Sequence, residues 1–327
     1  MVDLSTEYMG LHLRNPLIVS SCSLTKNLQG VTRCADAGAG AIVLKSLFEE
    51  QIKAETKDLE QYLWLPGHPE AFDYISRTSM LLGPREYLKL VEEAKNEVSV
   101  PIIASLNCIS SEWWVDYAAQ IEAAGADALE LNISLMPSDL NRESAEIERM
   151  YLKIFRAVKP HIDIPIAVKL GPYFTSMAQM ANEFYDQGVA ALVLFNRFYQ
   201  LDIDIEKLVL APGYKLSSPQ EISLPLRWVA LLSGRVGCDL APSTGVHDGA
   251  GVIKLLLAGA SAVQICSTLY LNGLEQIGRM LGEVEDWMKK HDFDSISAIR
   301  GKLSQTQSDR PELYERLQYI KTLVGIE

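Results

Sequence analysis

A short phrase recurs four times along this chain, and each copy opens an apolar run that closes on a polar residue. Ala37-Gly38-Ala39-Gly40-Ala41 leads to Lys45, Ala124-Gly125-Ala126-Asp127-Ala128 to Asn132, Gln187-Gly188-Val189-Ala190-Ala191 to Asn196, and Ala258-Gly259-Ala260-Ser261-Ala262 to Ser267. A glycine ending a helix, then a strand buried on both faces, then a hydrogen-bonding residue at its C-terminal end is the unit of a parallel α/β barrel. The polar ends of those runs are the expected seat of the chemistry.

Four further apolar runs end in the same way, Leu17 to Ser21, Ile102 to Asn107, Ile166 to Lys169 and Leu240 to Thr244. Segments of helical period lie between them, among them Trp113 to Ala124, Ala145 to Val158, Met177 to Gln187 and Ala250 to Ala258. Eight strands alternating with helices predict a single (β/α)8 TIM barrel over residues 1–327. Two connections are too long for a bare βα unit: Lys45 to Ile102, after strand 2, and Asn196 to Leu240, after strand 6. Both leave the C-terminal mouth, where barrel enzymes carry substrate loops. The first holds Trp64, His68, Met80 and Pro84, the second Tyr199, Tyr214 and Ser217-Ser218-Pro219. Oligomer contact or packing is the alternative role for both. Leu4 to Leu13 reads as an N-terminal hairpin closing the barrel floor, Leu274 to Met288 as the eighth helix, and 311–324 as an appended C-terminal helix.

The net charge of −12 opposes nucleic-acid or anionic-membrane partners, so any anionic ligand needs a local site. The five cysteines, Cys22, Cys34, Cys108, Cys238 and Cys266, form no Cys-x-x-Cys pair, and neither zinc nor iron–sulfur ligation is expected. The N-terminus lacks the profile of a signal peptide and no apolar run approaches bilayer length, so a cytoplasmic location is expected.

If the strands close, Ser20, Ser21, Lys45, Asn107, Asn132, Lys169, Asn196, Thr244 and Ser267 converge on one rim. Two-residue alternation puts Glu130 on the inward face with Asn132, within reach of Lys169, as a structural ion pair. Pro242-Ser243-Thr244-Gly245 and Cys266-Ser267-Thr268 follow strands 7 and 8, the position at which barrels bind phosphate through backbone N–H groups. An N-cap followed by a turn is the alternative reading of that Ser-Thr-Gly.

Six ordered stretches now carry a resemblance. Asn15-Pro16 to Ser21, Leu44-Lys45-Ser46, Ile103 to Cys108, Gly125 to Ser134, Ala167 to Tyr173 and Gly259 to Ser267 resemble the FMN barrel of class 1 dihydroorotate dehydrogenases. Ala104 to Asn132 is also similar to the FMN domain of dihydropyrimidine dehydrogenases. The resemblance implies an FMN-dependent oxidoreductase acting on CH–CH groups, in pyrimidine metabolism, with hydride passing between substrate and flavin N5. It implies that Thr244, Gly245, Ser267 and Thr268 hold the phosphate, and that Lys169 places positive charge at the N1 and O2 edge. It further implies that Ser20, Ser21, Ser46, Asn107 and Asn132 bond the ring and ribityl chain, that Lys45 and Asn196 sit near flavin and substrate, and that the protein is a homodimer.

The substrate-side motifs depart from the family pattern. Where the family has Asn-x-Ser, then Cys or Ser, then Pro-Asn, this chain reads Asn132-Ile133-Ser134-Leu135-Met136-Pro137-Ser138. Leu135 occupies the position of the proton-abstracting residue and has no ionisable group. Ser134, Ser138 or a tyrosine is the alternative proton-transfer group. Thr78 to Pro84 replaces Asn-x-Met-Gly-Leu-Pro-Asn, and Arg197 stands where the family has serine. Arg197 has the fork to bind a carboxylate or phosphate, which suits an acidic small-molecule substrate; an ion pair with Asp202 or Asp204 is the alternative. The expectation is therefore a kept cofactor site, a rebuilt substrate site, and slow or absent dihydroorotate turnover. Two competing functions remain open: a phosphate-site lyase or isomerase using Lys45 or Lys169, and a flavin-binding protein without turnover.

Overall fold

The computed structural model describes residues 2–49, 84–109, 114–197, 201–211, 215–315 and 320. Its centre is a parallel barrel of β3 (Leu17–Val19), β4 (Ala41–Val43), β6 (Ile102–Cys108), β7 (Ala128–Ile133), β8 (Ile166–Leu170), β9 (Ala191–Leu194), β12 (Asp239–Pro242) and β13 (Val263–Ile265). Seven parallel pairings join them in the order β12-β9-β8-β7-β6-β4-β3-β13. Between the two end strands, the Ser261 N–H bonds Leu240 O at 2.9 Å, which brings the barrel close to closure. All eight expected strands are present in the expected order. The glycines of the repeated phrase explain the regularity: Gly38, Gly125, Gly188 and Gly259 all have positive φ, between 84° and 117°. Each turns the chain from the end of a helix into the next buried strand.

Two apolar layers separate by the two-residue alternation of the strands. Leu17, Val19, Ile42, Leu129, Leu131 and Val168 face the surrounding helices, whereas Ile18, Ala41, Val43, Ile103, Ala128, Ala167, Ala191 and Ala241 face inward. The inward set is rich in alanine, and that leaves room for a plug. β1 (Thr6–Tyr8) and β2 (Leu11–Leu13) form the expected hairpin, and Tyr8, Met9 and Leu13 pack onto this inner layer. Asp239 at the base of β12 pins the plug by accepting the Met9 N–H at 2.7 Å.

Long inserts follow the second and sixth barrel strands. In the first, β5 (Leu47–Phe48) pairs β6 and a helix spans Pro84–Glu97. Trp64, His68 and Met80 lie outside the described residues, as do Tyr199 and Tyr214. The second insert contains an antiparallel ribbon, β10 (Asp202–Asp204) with β11 (Val209–Ala211), before helix Ser223–Leu232. Gln276–Lys290 forms the expected late helix, preceded by a short one, Ser267–Asn272. Of the expected helix at 311–324, the described part is a 3-10 turn at Pro311–Tyr314; 316–319 and 321–324 lie outside the described residues.

Candidate active site

Strand register sets the site. Asn107 on β6 lies opposite Asn132 on β7, which lies opposite Lys169 on β8, so three polar residues share one level near the C-terminal mouth. One residue pair below, Glu130 lies within the barrel, 1% exposed. Lys169 Nζ donates to Ser20 Oγ at 3.0 Å and to Gln264 Oε1 at 2.9 Å, and sits 3.6 Å from Glu130 Oε1. The Gln264 amide links the groups: its oxygen accepts from Lys169 and Ser20, while its Nε2 donates to Glu130 Oε2 at 2.5 Å. A buried cation needs a counter-charge and oriented dipoles, and this network supplies both. The expected Glu130–Lys169 ion pair is present. Gln264 was not among the expected site residues, although its place between inward Ala262 and the mouth residue Cys266 follows the same alternation.

Above Lys169 opens a cleft of about 520 Å³, a space continuous with solvent. Ser20, Ser21, Asn196, Thr244, Gly245 and Ser267 line it with Lys169. At its far side Thr244 and Gly245 turn with φ of 81° and 77°. A Cβ on Gly245 would lie 2.2 Å from Ile222 N, so only glycine lets this turn press against the Pro219–Ile222 turn. Ser217 ties the turn to the next mouth, accepting the Gly245 N–H at 3.4 Å and donating its own N–H to Ser267 Oγ at 3.0 Å. The Ser217 hydroxyl also meets His247 Nε2 at 3.2 Å. Burial holds the His247 imidazole below its usual pKa of 6.5. Thr268 supports this corner from behind: it is fully buried, and its hydroxyl donates to His247 O at 3.2 Å.

On the other side of the mouth, hydroxyls form a chain. Ser21 Oγ meets Ser46 Oγ at 2.9 Å, which meets Ser105 Oγ at 2.8 Å. Tyr87 closes it, accepting the Ser105 N–H at 2.7 Å. Asn196 Nδ2 donates to Asn132 Oδ1 at 2.8 Å, joining the β7 and β9 mouths. Lys45 Nζ donates to Ser23 Oγ at 3.3 Å. Burial, reinforced by the Lys26 charge, lowers the Lys45 pKa to about 8.

Comparison with known proteins fits this arrangement. The family profile "Dihydroorotate dehydrogenase" matches residues 79–288, more than half of the chain. The chain belongs to the dihydroorotate dehydrogenase family. A "Dihydroorotate dehydrogenase B (NAD(+)), catalytic subunit" of Methanothermobacter thermautotrophicus is 28% identical over 310 residues, covering 91% of this chain and 97% of that protein. Its counterpart in Methanocaldococcus jannaschii is 27% identical over 304 residues, covering 89% and 95%. The chloroplastic dihydropyrimidine dehydrogenase (NADP(+)) of Arabidopsis thaliana is 20% identical over 346 residues, covering 96% and 80%. No helix among the described residues is long and apolar enough to cross a membrane.

Of the departures from the family pattern, Leu135 and Arg197 fall within the described residues, whereas 78–83 lie outside them. Leu135 packs against the layer between strands and helices, and its carbonyl accepts from Tyr151 OH at 3.4 Å. Ser134 is buried next to it, while Met136 is 49% exposed. Arg197 lines the cleft, but its fork is engaged by Glu221, at 2.8 Å from Nε and 3.5 Å from the second guanidinium nitrogen, and by Lys215 O. The alternative pairing of Arg197 with Asp202 or Asp204 is not formed: Asp202 pairs with Lys215 at 2.7 Å and Asp204 with Lys207 at 3.3 Å. Glu221 lies 24 positions from Arg197 and only the folded second insert brings them together.

Proposed function

We propose that this protein binds FMN in the cleft above Lys169 and is an oxidoreductase that moves hydride between a CH–CH bond of a small, dihydropyrimidine-like molecule and the flavin. The observation that carries this reading is the Ser20–Lys169–Gln264–Glu130 network, a fixed cation held at the cleft floor. The donor set suits the cofactor: a lysine for an electron-rich ring edge, hydroxyls and amides for ring and ribityl groups, and a tight Thr244-Gly245 turn for a phosphate. FMN, when bound, supplies the two-electron redox step.

This chain's residues do the rest. Lys169 holds positive charge where negative charge accumulates on reduction, and Glu130 and Gln264 keep its ammonium aimed into the cleft. Thr244, Gly245 and Ser267 hold the phosphate end, with Thr268 and Ser217 bracing them. Ser20, Ser21, Ser46, Asn107 and Asn132 orient the ring and ribityl chain, and Asn196, tied to Asn132, reaches substrate. Arg197, its charge already met by Glu221, shapes the substrate wall and offers an acidic substrate an N–H edge. Leu135 cannot take a proton. Lys45, with a pKa of about 8, is suited to move one near neutral pH.

The test is spectroscopic first. The purified protein is expected to show a flavin spectrum, to release FMN on denaturation, and to bleach anaerobically with a dihydropyrimidine or related acid. A colourless protein that borohydride traps with an aldehyde or ketone would replace this reading with lyase or isomerase chemistry. Flavin that no such donor reduces would leave a binding protein without turnover, and rapid orotate formation would overturn the view that the proton step has been rebuilt.

A further inference from the structure

We propose that Cys22 and Cys266 form a redox-reactive dithiol at the lip of the cleft, which reduces low-molecular-weight disulfides and closes an intramolecular disulfide as it does so. Adjacent strands bring the two together. β3 and β13 run parallel, with Val19 opposite Ile265, and the Ser20 N–H donating to Ile265 O at 2.9 Å carries the pairing past the strand ends. Cys22 then precedes the turn Ser23–Thr25, and Cys266 precedes helix Ser267–Asn272. The two thiols interact electrostatically across the adjoining mouths of β3 and β13, both residues are half-buried, and Cys266 lines the cleft itself.

The surroundings favour a thiolate. Lys45 reaches Ser23 Oγ, next to Cys22, and Lys169 acts electrostatically on Cys266. Tyr270 Oη accepts the Ser23 N–H at 2.9 Å, which ties the start of helix Ser267–Asn272 to the turn beside Cys22. Within the pair the roles divide. Interaction with Cys266 lowers the Cys22 pKa to about 7, and interaction with Cys22, with burial, raises the Cys266 thiol well above its usual value. Among the described residues Cys34 and Cys238 have no such partner, and burial pushes each up to about 12. Thiolate character decides which sulfur attacks.

The exchange balances without a further oxidant. The Cys22 thiolate attacks one sulfur of an external disulfide, forming a mixed disulfide and expelling one thiolate. Cys266, losing its proton, attacks the Cys22 sulfur and expels the second. One external disulfide becomes two thiols while the protein dithiol becomes one disulfide. The new bond would tie the mouths of β3 and β13 beside Ser20 and Gln264, the two residues that hold Lys169.

The experiment uses oxidised glutathione on the purified full chain, with peptide mapping by mass spectrometry, and does not depend on turnover or bound flavin. A Cys22–Cys266 cross-linked peptide is expected, with two glutathione thiols released per chain. Cys266→Ser should instead accumulate glutathione on Cys22, and Cys22→Ser should slow the reaction of Cys266 at least tenfold. Because either variant could fold poorly, the unaltered protein is also alkylated with iodoacetamide across pH. Cys22 should react with a midpoint near 7 and at least tenfold faster than Cys34 or Cys238 at neutral pH. Glutathione adducts without the cross-link, a Cys22 midpoint at 9 or above, or equal labelling of Cys34 and Cys238 would overturn the proposal.

Discussion

The two walls of the barrel mouth are built differently. Around β3, β8 and β13, hydrogen bonds and one ion pair join Lys169, Ser20, Gln264 and Glu130 in one linked unit. Around the end of β7, the chain leaves the strand through Leu135 and Met136, one packed against the outer layer and the other turned to solvent. The first wall suits a fixed cofactor, which needs pre-oriented charge. The second lacks the ionisable group expected at its position. On the function proposed above, the difference separates cofactor binding from proton transfer on one scaffold, with strands fixing the former and loops carrying the latter.

The largest expected break comes from Lys169→Met. It leaves Glu130 charged and unpaired inside the barrel, a loss of about 3–5 kcal/mol, read as a lower urea midpoint together with loss of bound flavin. Adding Glu130→Gln should recover part of the stability but none of the flavin; equal flavin content in either variant would detach the first wall from the cofactor. Gly245→Ala is next. Its Cβ would strike the Ile222 backbone at 2.2 Å in a turn with φ of 77°, costing on the order of 1–3 kcal/mol. FMN affinity should fall at least tenfold by fluorescence titration, and an unchanged affinity would move the phosphate elsewhere.

Much of the first wall was legible in the sequence. Lys169 and Glu130 fall on inward positions by simple alternation, and positive-φ glycines at 38, 125, 188 and 259 mark where four of the eight strands begin. Local rules suffice there because parallel strands place residues by register. Gln264 was visible by the same alternation yet reads as one more residue of an apolar run, since nothing local says that its amide bridges a cation and a carboxylate. The second wall was less legible. Arg197 takes Glu221 rather than Asp202 or Asp204 because the second insert folds into a ribbon and a turn, and chain proximity does not encode that return. Leu135 was legible as a missing base, but its packing direction was not.

Lys45, bonded to Ser23 on the β3 side of the mouth, tests whether the proton step has moved away from the second wall. Its pKa of about 8 means the neutral amine, able to accept a proton, becomes the major form only above that pH. For oxidation of a CH–CH substrate, kcat/KM should therefore rise through about pH 8, and Lys45→Gln should remove the rise and lower the plateau by roughly 10²-fold. A profile that keeps its shape in the variant would assign the proton elsewhere. Leu135→Cys should change less: stability shifts by about 1 kcal/mol, and dihydroorotate turnover stays where it was, because that side chain packs into the outer layer. A clear gain in orotate formation would show that the loop swings toward the cleft.

The smallest effect concerns the corner where the two walls meet the Thr244-Gly245 turn. Burial depresses the His247 pKa below 6.5, so the folded protein keeps a neutral ring that the unfolded chain would protonate. Above pH 6.5 both states are neutral and this residue adds no slope. As pH falls below 6.5 the unfolded chain binds the proton first, so stability declines until the folded value is passed. His247→Gln should flatten that decline in denaturant midpoints between pH 7 and 5, while loosening FMN by only about threefold, the scale of one hydrogen bond to Ser217. If the slope persists in the variant, the titrating group is not His247, and the neutral ring beside Ser217 is no part of what holds the Thr244-Gly245 turn.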